Sequence, residues 1–155
     1  MKIQELNKAY DTCIADGVIR EVKEADLERA KTMLALAEKD IADLKTILSS
    51  IEKKKNYTLL WRNFYEIVMQ LVDGILLTEK IRSDNHQCLF AYICTKHPEW
   101  EIDWNTMETM RLLRNGAQYQ GIPVKEEIWK EYKLKFDIYI STFKKILEEK
   151  LEKSK

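Results

Sequence analysis

Apolar residues recur along most of this chain at spacings of three and four, the period of an α-helix. From Asp26 onward the pattern is strict. Leu27, Ala30, Leu34, Ala37, Ile41, Leu44, Leu48 and Ile51 form a continuous seam, roughly four heptads of alternating a and d positions. This predicts a long helix, closed by the basic and polar Lys53-Lys54-Lys55-Asn56, which reads as an exposed turn. A second long helix is expected from Tyr57 to about Arg82. Its apolar residues run from Leu60 and Trp61 through Phe64, Tyr65, Ile67, Val68, Leu71 and Val72 to Ile75 and Leu76. They cover more than one stripe, so the helix is either central to a bundle or shared with a partner.

Shorter elements flank these two. Residues 1–17 form an amphipathic segment (Ile3, Leu6, Tyr10, Ile14) ending at Gly17, where a C-cap is expected. Ser83 or Asp84 is expected to cap a short helix bearing Leu89, Phe90, Ile93 and Cys94, which stops before His97-Pro98. Asp103 or Asn105 is the expected cap of the next helix, with Met107, Met110 and Leu113 facing the core. After Gly121-Ile122-Pro123 a last helix carries Trp129, Tyr132, Phe136, Tyr139, Phe143 and Ile146, and the charged residues 148–155 are expected to fray. The predicted fold is all-α: an up-and-down antiparallel bundle of four to five helices over 26–147, plus the short N-terminal helix, in a single domain.

Composition narrows the picture. Four glycines and two prolines in 155 residues leave little room for hairpin turns or a phosphate loop. Lys+Arg and Asp+Glu number 26 each, which excludes a strongly basic, non-specific nucleic-acid coat. Any RNA contact must use a local patch, for which Arg62, Lys80, Arg82, Arg111 and Arg114 are the candidates. No apolar run approaches the roughly 18–20 residues of a membrane span. The first residues lack a signal-peptide core, so the cytoplasm is the expected compartment. Cys13, Cys88 and Cys94 are odd in number with no C-x-x-C pair, and read as reduced thiols in or near the core. The two histidines, His86 and His97, form no core cluster with carboxylates, so neither a metal nor another cofactor is expected. His97, next to Pro98, reads as a helix-end residue without a role. Asp73, beside Gly74, is expected at a helix crossing or a dimer seam. Trp61, Phe64 and Tyr65 oversupply one helix face and hint at a self-association surface.

Candidate chemistry concentrates in MRLLRNGAQYQGIPVKEEIW, Met110 to Trp129. Arg111, Asn115 and Gln118 share one helix face. Arg114 and Tyr119, five apart, are rotated by about 140° in a straight helix and share a site only if the chain loosens between Gly116 and Gly121. Such loosening would create a polar pocket at a helix end. The alternative is an ordinary C-terminal cap, with Arg111 and Arg114 at the negative end of the helix dipole. His86 can supply an imidazole if the start of its helix reaches the same place; otherwise it is a first-turn residue that packs locally.

Helix order, helix lengths and the Arg114-Asn115-Gly116-Ala117-Gln118-Tyr119 segment together resemble the HEPN family (higher eukaryotes and prokaryotes nucleotide-binding domain) from Leu27 to about Ile146. The family signature is R-N-x-x-x-H, or more loosely arginine, four to six residues, then histidine; here tyrosine stands at the histidine position. The resemblance implies a homodimer that handles RNA or a nucleotide. Arg111, Arg114, Asn115, Gln118 and Arg62 would bind the ligand, and Arg114, Tyr119 and His86 are the catalytic candidates. It implies two functions. In one, the protein binds a nucleotide or RNA end as the toxin-like partner of a nucleotidyltransferase antitoxin, which in some members adenylates a tyrosine near the motif. In the other, it is a metal-independent endoribonuclease. Histidine, near pKa 6.5, suits proton transfer at neutral pH, whereas a tyrosine hydroxyl near pKa 10 is a poor base. A purely structural helical dimer is the third possibility.

Overall fold

Four of the helices begin on a side chain that accepts a backbone N–H, as the first turn requires. Asp26 caps α2 (Leu27–Lys53), Asn56 caps α3 (Tyr57–Thr78), Asn85 caps α4 (His86–Lys96) and Asp103 caps α5 (Trp104–Gln120). In the computed structural model, which describes residues 2–155, these join α1 (Leu6–Ala15) and α6 (Glu126–Lys153) in an all-α bundle. The α4 cap is one or two residues later than Ser83 or Asp84. Ser83 instead accepts the Asn85 amide on its hydroxyl at 3.2 Å.

The most apolar helix, α3, is central, with α2 and α6 packed along it and α5 and α4 closing its other flank. Trp61, Tyr65, Leu71, Val72 and Ile75 on α3 have no exposed surface. Trp61 lies edge-on to Phe136 at 5.0 Å and donates its indole N–H to the Met110 carbonyl at 3.0 Å. Trp61, Phe64 and Tyr65 are therefore core residues, not an association surface, because α5 and α6 cover the face they crowd. Gly74 marks a close crossing: a Cβ there would meet Leu147 Cδ2 at 2.8 Å, with the Ala30 carbonyl 3.7 Å away.

Three further expectations need correction. Helix α3 ends at Thr78 rather than Arg82, since Lys80 takes a left-handed conformation (φ 64°). Ile81–Arg82 (β2) then pairs antiparallel with Arg20–Glu21 (β1), Arg20 opposite Arg82. The C-terminal residues do not fray: α6 continues to Lys153 and buries Leu151. Its buried stripe runs Trp129, Tyr132, Phe136, Ile140, Phe143, Leu147 and Leu151. It drifts off the strict heptad as a straight helix must, which leaves Tyr139 and Ile146 only half-buried.

The cysteines are the third correction. Cys13 and Cys88 are joined in a disulfide across 75 residues, and only Cys94 is a free thiol. The bond fastens α1 to the first turn of α4. Burial pushes the Cys94 thiol up to about 12, so it is inert near neutral pH. No helix among the described residues is long and apolar enough to cross a membrane.

Candidate functional site

The bonds of Asn85 and Tyr65 fix the position of His86. Asn85 starts α4 by accepting the Cys88 amide at 3.0 Å, which holds the first turn of the helix and His86 within it. Tyr65, fully buried on α3, places its hydroxyl 2.9 Å from His86 Nδ1. That is the only hydrogen bond the hydroxyl makes among the described residues. With the hydroxyl as donor, the neutral imidazole carries its own proton on the remaining nitrogen, Nε2; with Nδ1–H as donor, Nε2 is bare. Burial pushes the Tyr65 hydroxyl pKa well above its ordinary value, so it stays protonated.

Helix α5 supplies the opposite wall. Glu108 is 1% exposed and takes Arg111 in a fork, Nε–Oε2 at 2.7 Å and Nη2–Oε1 at 2.9 Å. Gln87 on α4 donates to the same carboxylate at 2.7 Å. Burial opposes the charge on Arg111, but the Glu108 pair outweighs it and raises the pKa. The bidentate pair is internal to α5 and fixes the Glu108 carboxylate, and the Gln87 bond to that carboxylate ties α4 to α5.

One turn further on, Arg114 is held differently. Its guanidinium lies 5.6 Å above the Tyr65 ring and 5.8 Å from that of Tyr119. Nη2 meets Glu66 at 3.1 Å, and Nη1 reaches Asn115 Oδ1 at 3.3 Å and the Tyr119 hydroxyl at the long limit of 3.5 Å. Helix α5 does not loosen at Gly116, as the Arg114–Tyr119 pairing was expected to require. It stays helical to Gln120 and ends on Gly121 in the left-handed conformation (φ 66°), the usual glycine cap. The two long side chains span the five residues themselves. Neither arginine hydrogen-bonds the terminal carbonyls; the amides of Gly121 and Ile122 both bond Gly116 O instead.

Together these groups line a cleft of about 290 Å³ between α4 and α5, which includes His86, Gln87, Arg111, Arg114, Asn115 and Tyr119. Burial first, and then the Arg114 charge, lower the His86 pKa, with Glu66 opposing. The imidazole is thus neutral near pH 7 and stands beside two guanidinium groups. Such a set recognises an anion with several acceptor oxygens. Of the sequence candidates, the cleft unites His86, Arg111, Arg114, Asn115 and Tyr119. It does not include Gln118, which is exposed beyond it, or Arg62. Lys80 lies in the turn after α3, and Arg82 pairs with Asp26 at 3.5 Å.

Sequence reasoning missed Tyr65, Glu66, Gln87 and Glu108. Only Glu108 left a signal, standing three residues before Arg111 as helical ion pairs do. Among the described residues no three His, Cys, Asp or Glu side chains are grouped to hold a metal ion. No protein-family model and no curated protein matches the chain.

Proposed function

We propose that this protein is a HEPN-like nucleotide- or RNA-binding module whose phosphate site is the cleft between α4 and α5. The single observation that carries the reading is the joint placement of Arg114 and His86 in that cleft, with Tyr65 bonded to one and stacked beneath the other. Arg114 exchanges its half-exposed partner Glu66 for a phosphate. Arg111, neutralised by Glu108, positions the wall, and His86 donates from Nε2. The ring carries its proton on Nε2 in this reading and acts as a hydrogen-bond donor, not a base. In this reading two copies meet around the α5 end, where Tyr119 and Ile122 are 73% and 53% exposed. In the free protomer the exposed Tyr119 hydroxyl is accessible to a nucleotidyltransferase partner as an adenylate acceptor.

His86 also supports a second reading. If Nδ1–H donates to Tyr65 instead, Nε2 is left bare and supplies the imidazole missing from the signature. His86 would then accept the proton of a ribose 2′-OH as it attacks the adjacent phosphodiester. The P–O5′ bond breaks to leave a 2′,3′-cyclic phosphate, the 5′-oxygen takes a proton back from the imidazolium, and Arg114 stabilises the charge on the phosphoryl oxygens. One experiment separates the readings: a labelled single-stranded RNA incubated in EDTA with wild type, Arg114→Ala and His86→Ala. Binding without cleavage, lost in Arg114→Ala, supports the module. Cleavage lost in both variants supports the nuclease, and neither binding nor cleavage removes both.

A further inference from the structure

On the far side of His86 lies a second cavity of about 280 Å³, between the start of α2, the second half of α3 and the β2–α4 segment. Asp84 and His86 line this cavity and the Arg114 cleft alike, so the two spaces are neighbours. The second one differs in chemistry. Met33, Leu77 and Leu89, one from each of three helices, give it an apolar part, and Arg20, Arg82, Ser83 and Asp84 add polar lining. Asp73 from α3 and Arg29 from α2 bring opposite charges to it, yet neither side chain makes a hydrogen bond or ion pair among the described residues. Burial raises the Asp73 pKa to about 6 despite the pull of Arg29. A partly buried carboxylate that no side chain or backbone N–H bonds among the described residues, with apolar side chains beside it, is an acceptor for the N–H groups of a planar ligand.

The nucleobases differ in what they can offer it. Guanine alone presents two adjacent donors, N1–H and the 2-amino group, to the two oxygens of one carboxylate. Adenine and cytosine place a ring acceptor beside their amino group, and uracil flanks its single N–H with carbonyls. An acceptor facing Asp73 is repelled.

We infer that the Asp73 cavity is a guanine-selective base pocket, holding the base of a nucleotide whose phosphate lies across His86 at Arg114. This rests on the reading of the cleft as a nucleotide site and adds its base preference. Met33, Leu77 and Leu89 cover the faces of the purine, and Asp73 accepts both edge hydrogen bonds.

The test is calorimetric titration of guanosine, inosine and adenosine 5′-monophosphates at pH 7.5 and one fixed salt concentration. It uses wild type, Asp73→Asn and Arg114→Ala, with a short mixed-sequence RNA as a control ligand. Guanylate is expected to bind roughly tenfold or more tighter than adenylate, the scale of a bidentate edge contact. Inosinate, which keeps N1–H and lacks the 2-amino group, falls between. Asp73→Asn brings the three within about threefold of one another, while Arg114→Ala weakens all three alike. The inosinate comparison needs no variant, so it decides even if Asp73→Asn folds poorly. Equal binding of guanylate and adenylate, still lost in Arg114→Ala, overturns the base pocket and leaves the phosphate site standing. Guanine preference retained in Asp73→Asn overturns the role of Asp73. No binding of any nucleotide or of the RNA overturns both readings.

Discussion

The two histidines stand in clusters of similar composition and opposite character. His97 uses both ring nitrogens, Nε2 with Glu79 at 2.8 Å and Nδ1 with Glu99 at 3.0 Å, and stacks on Trp100 at 3.8 Å. Lys150 from α6 completes that group at 2.7 Å from Glu79. Both ring nitrogens and both Glu79 oxygens are engaged, the latter by His97 and by the charge of Lys150, and the cluster ties the end of α6 to the turn after α3. His86 uses one nitrogen, on a hydroxyl, and its charged neighbours are mainly cations. An aromatic ring, a histidine and charged side chains recur in both; unspent hydrogen-bonding capacity is found in only one. That difference, more than residue type, separates a structural knot from a candidate site.

The sharpest way to break the comparison is to remove Arg114. Arg114→Ala should weaken RNA or nucleotide binding by about ten- to hundredfold, the worth of charge-assisted hydrogen bonds, with little change in melting temperature. Fluorescence anisotropy at fixed salt reads the first and a thermal melt the second. His97→Ala should do the reverse, lowering unfolding free energy in urea by about 1–3 kcal/mol and leaving affinity within about twofold. A binding loss in His97→Ala would show that the two clusters are not independent. Tyr65→Phe should fold normally and lose about two- to tenfold in affinity, one neutral hydrogen bond. The ¹⁵N shift of His86 Nδ1 would report the missing donor.

The smallest effect is a titration. Because burial and Arg114 lower the folded-state pKa of His86, the unfolded chain takes up the proton first on acidification. Stability linked to His86 is full above its unfolded value of about 6.5 and is lost as pH falls through it. Asp73 acts in the opposite sense. With its pKa raised to about 6, its linked stability is present at low pH and lost as pH rises through 6. Histidine NMR resonances should place His86 below 6.5 and move it upward in Arg114→Ala; an unchanged titration would mean that the guanidinium does not act on the ring.

The helices were legible because apolar period and caps agree: Asp26 and Asp103 start α2 and α5 at expected positions. The candidate site was legible only where it is local. Arg114, Asn115 and Tyr119 are neighbours in sequence, but Tyr65 looked like any other aromatic of a buried helix, since nothing in its surroundings along the chain marks a hydroxyl partner 21 residues away. The unwinding expected at Gly116 failed because it treated side chains as directions and ignored their reach. The disulfide was hidden for a related reason. Cys13 and Cys88 have no local spacing to betray them, and an odd count suggested free thiols when it was one pair and a remainder. The bond also bears on the cytoplasmic expectation, because lasting disulfides favour oxidising surroundings.

Tyr65 has a consequence for motion. Its ring belongs to the core, with no exposed surface, while its hydroxyl and one face carry His86 and Arg114. Side chains anchored in this way share the slow, small-amplitude fluctuations of packed helices and not the nanosecond excursions of loops. A ligand entering the cleft therefore meets groups already ordered. On the proposed reading it would forfeit little conformational entropy at His86, and the one contact it must displace is the Arg114–Glu66 pair.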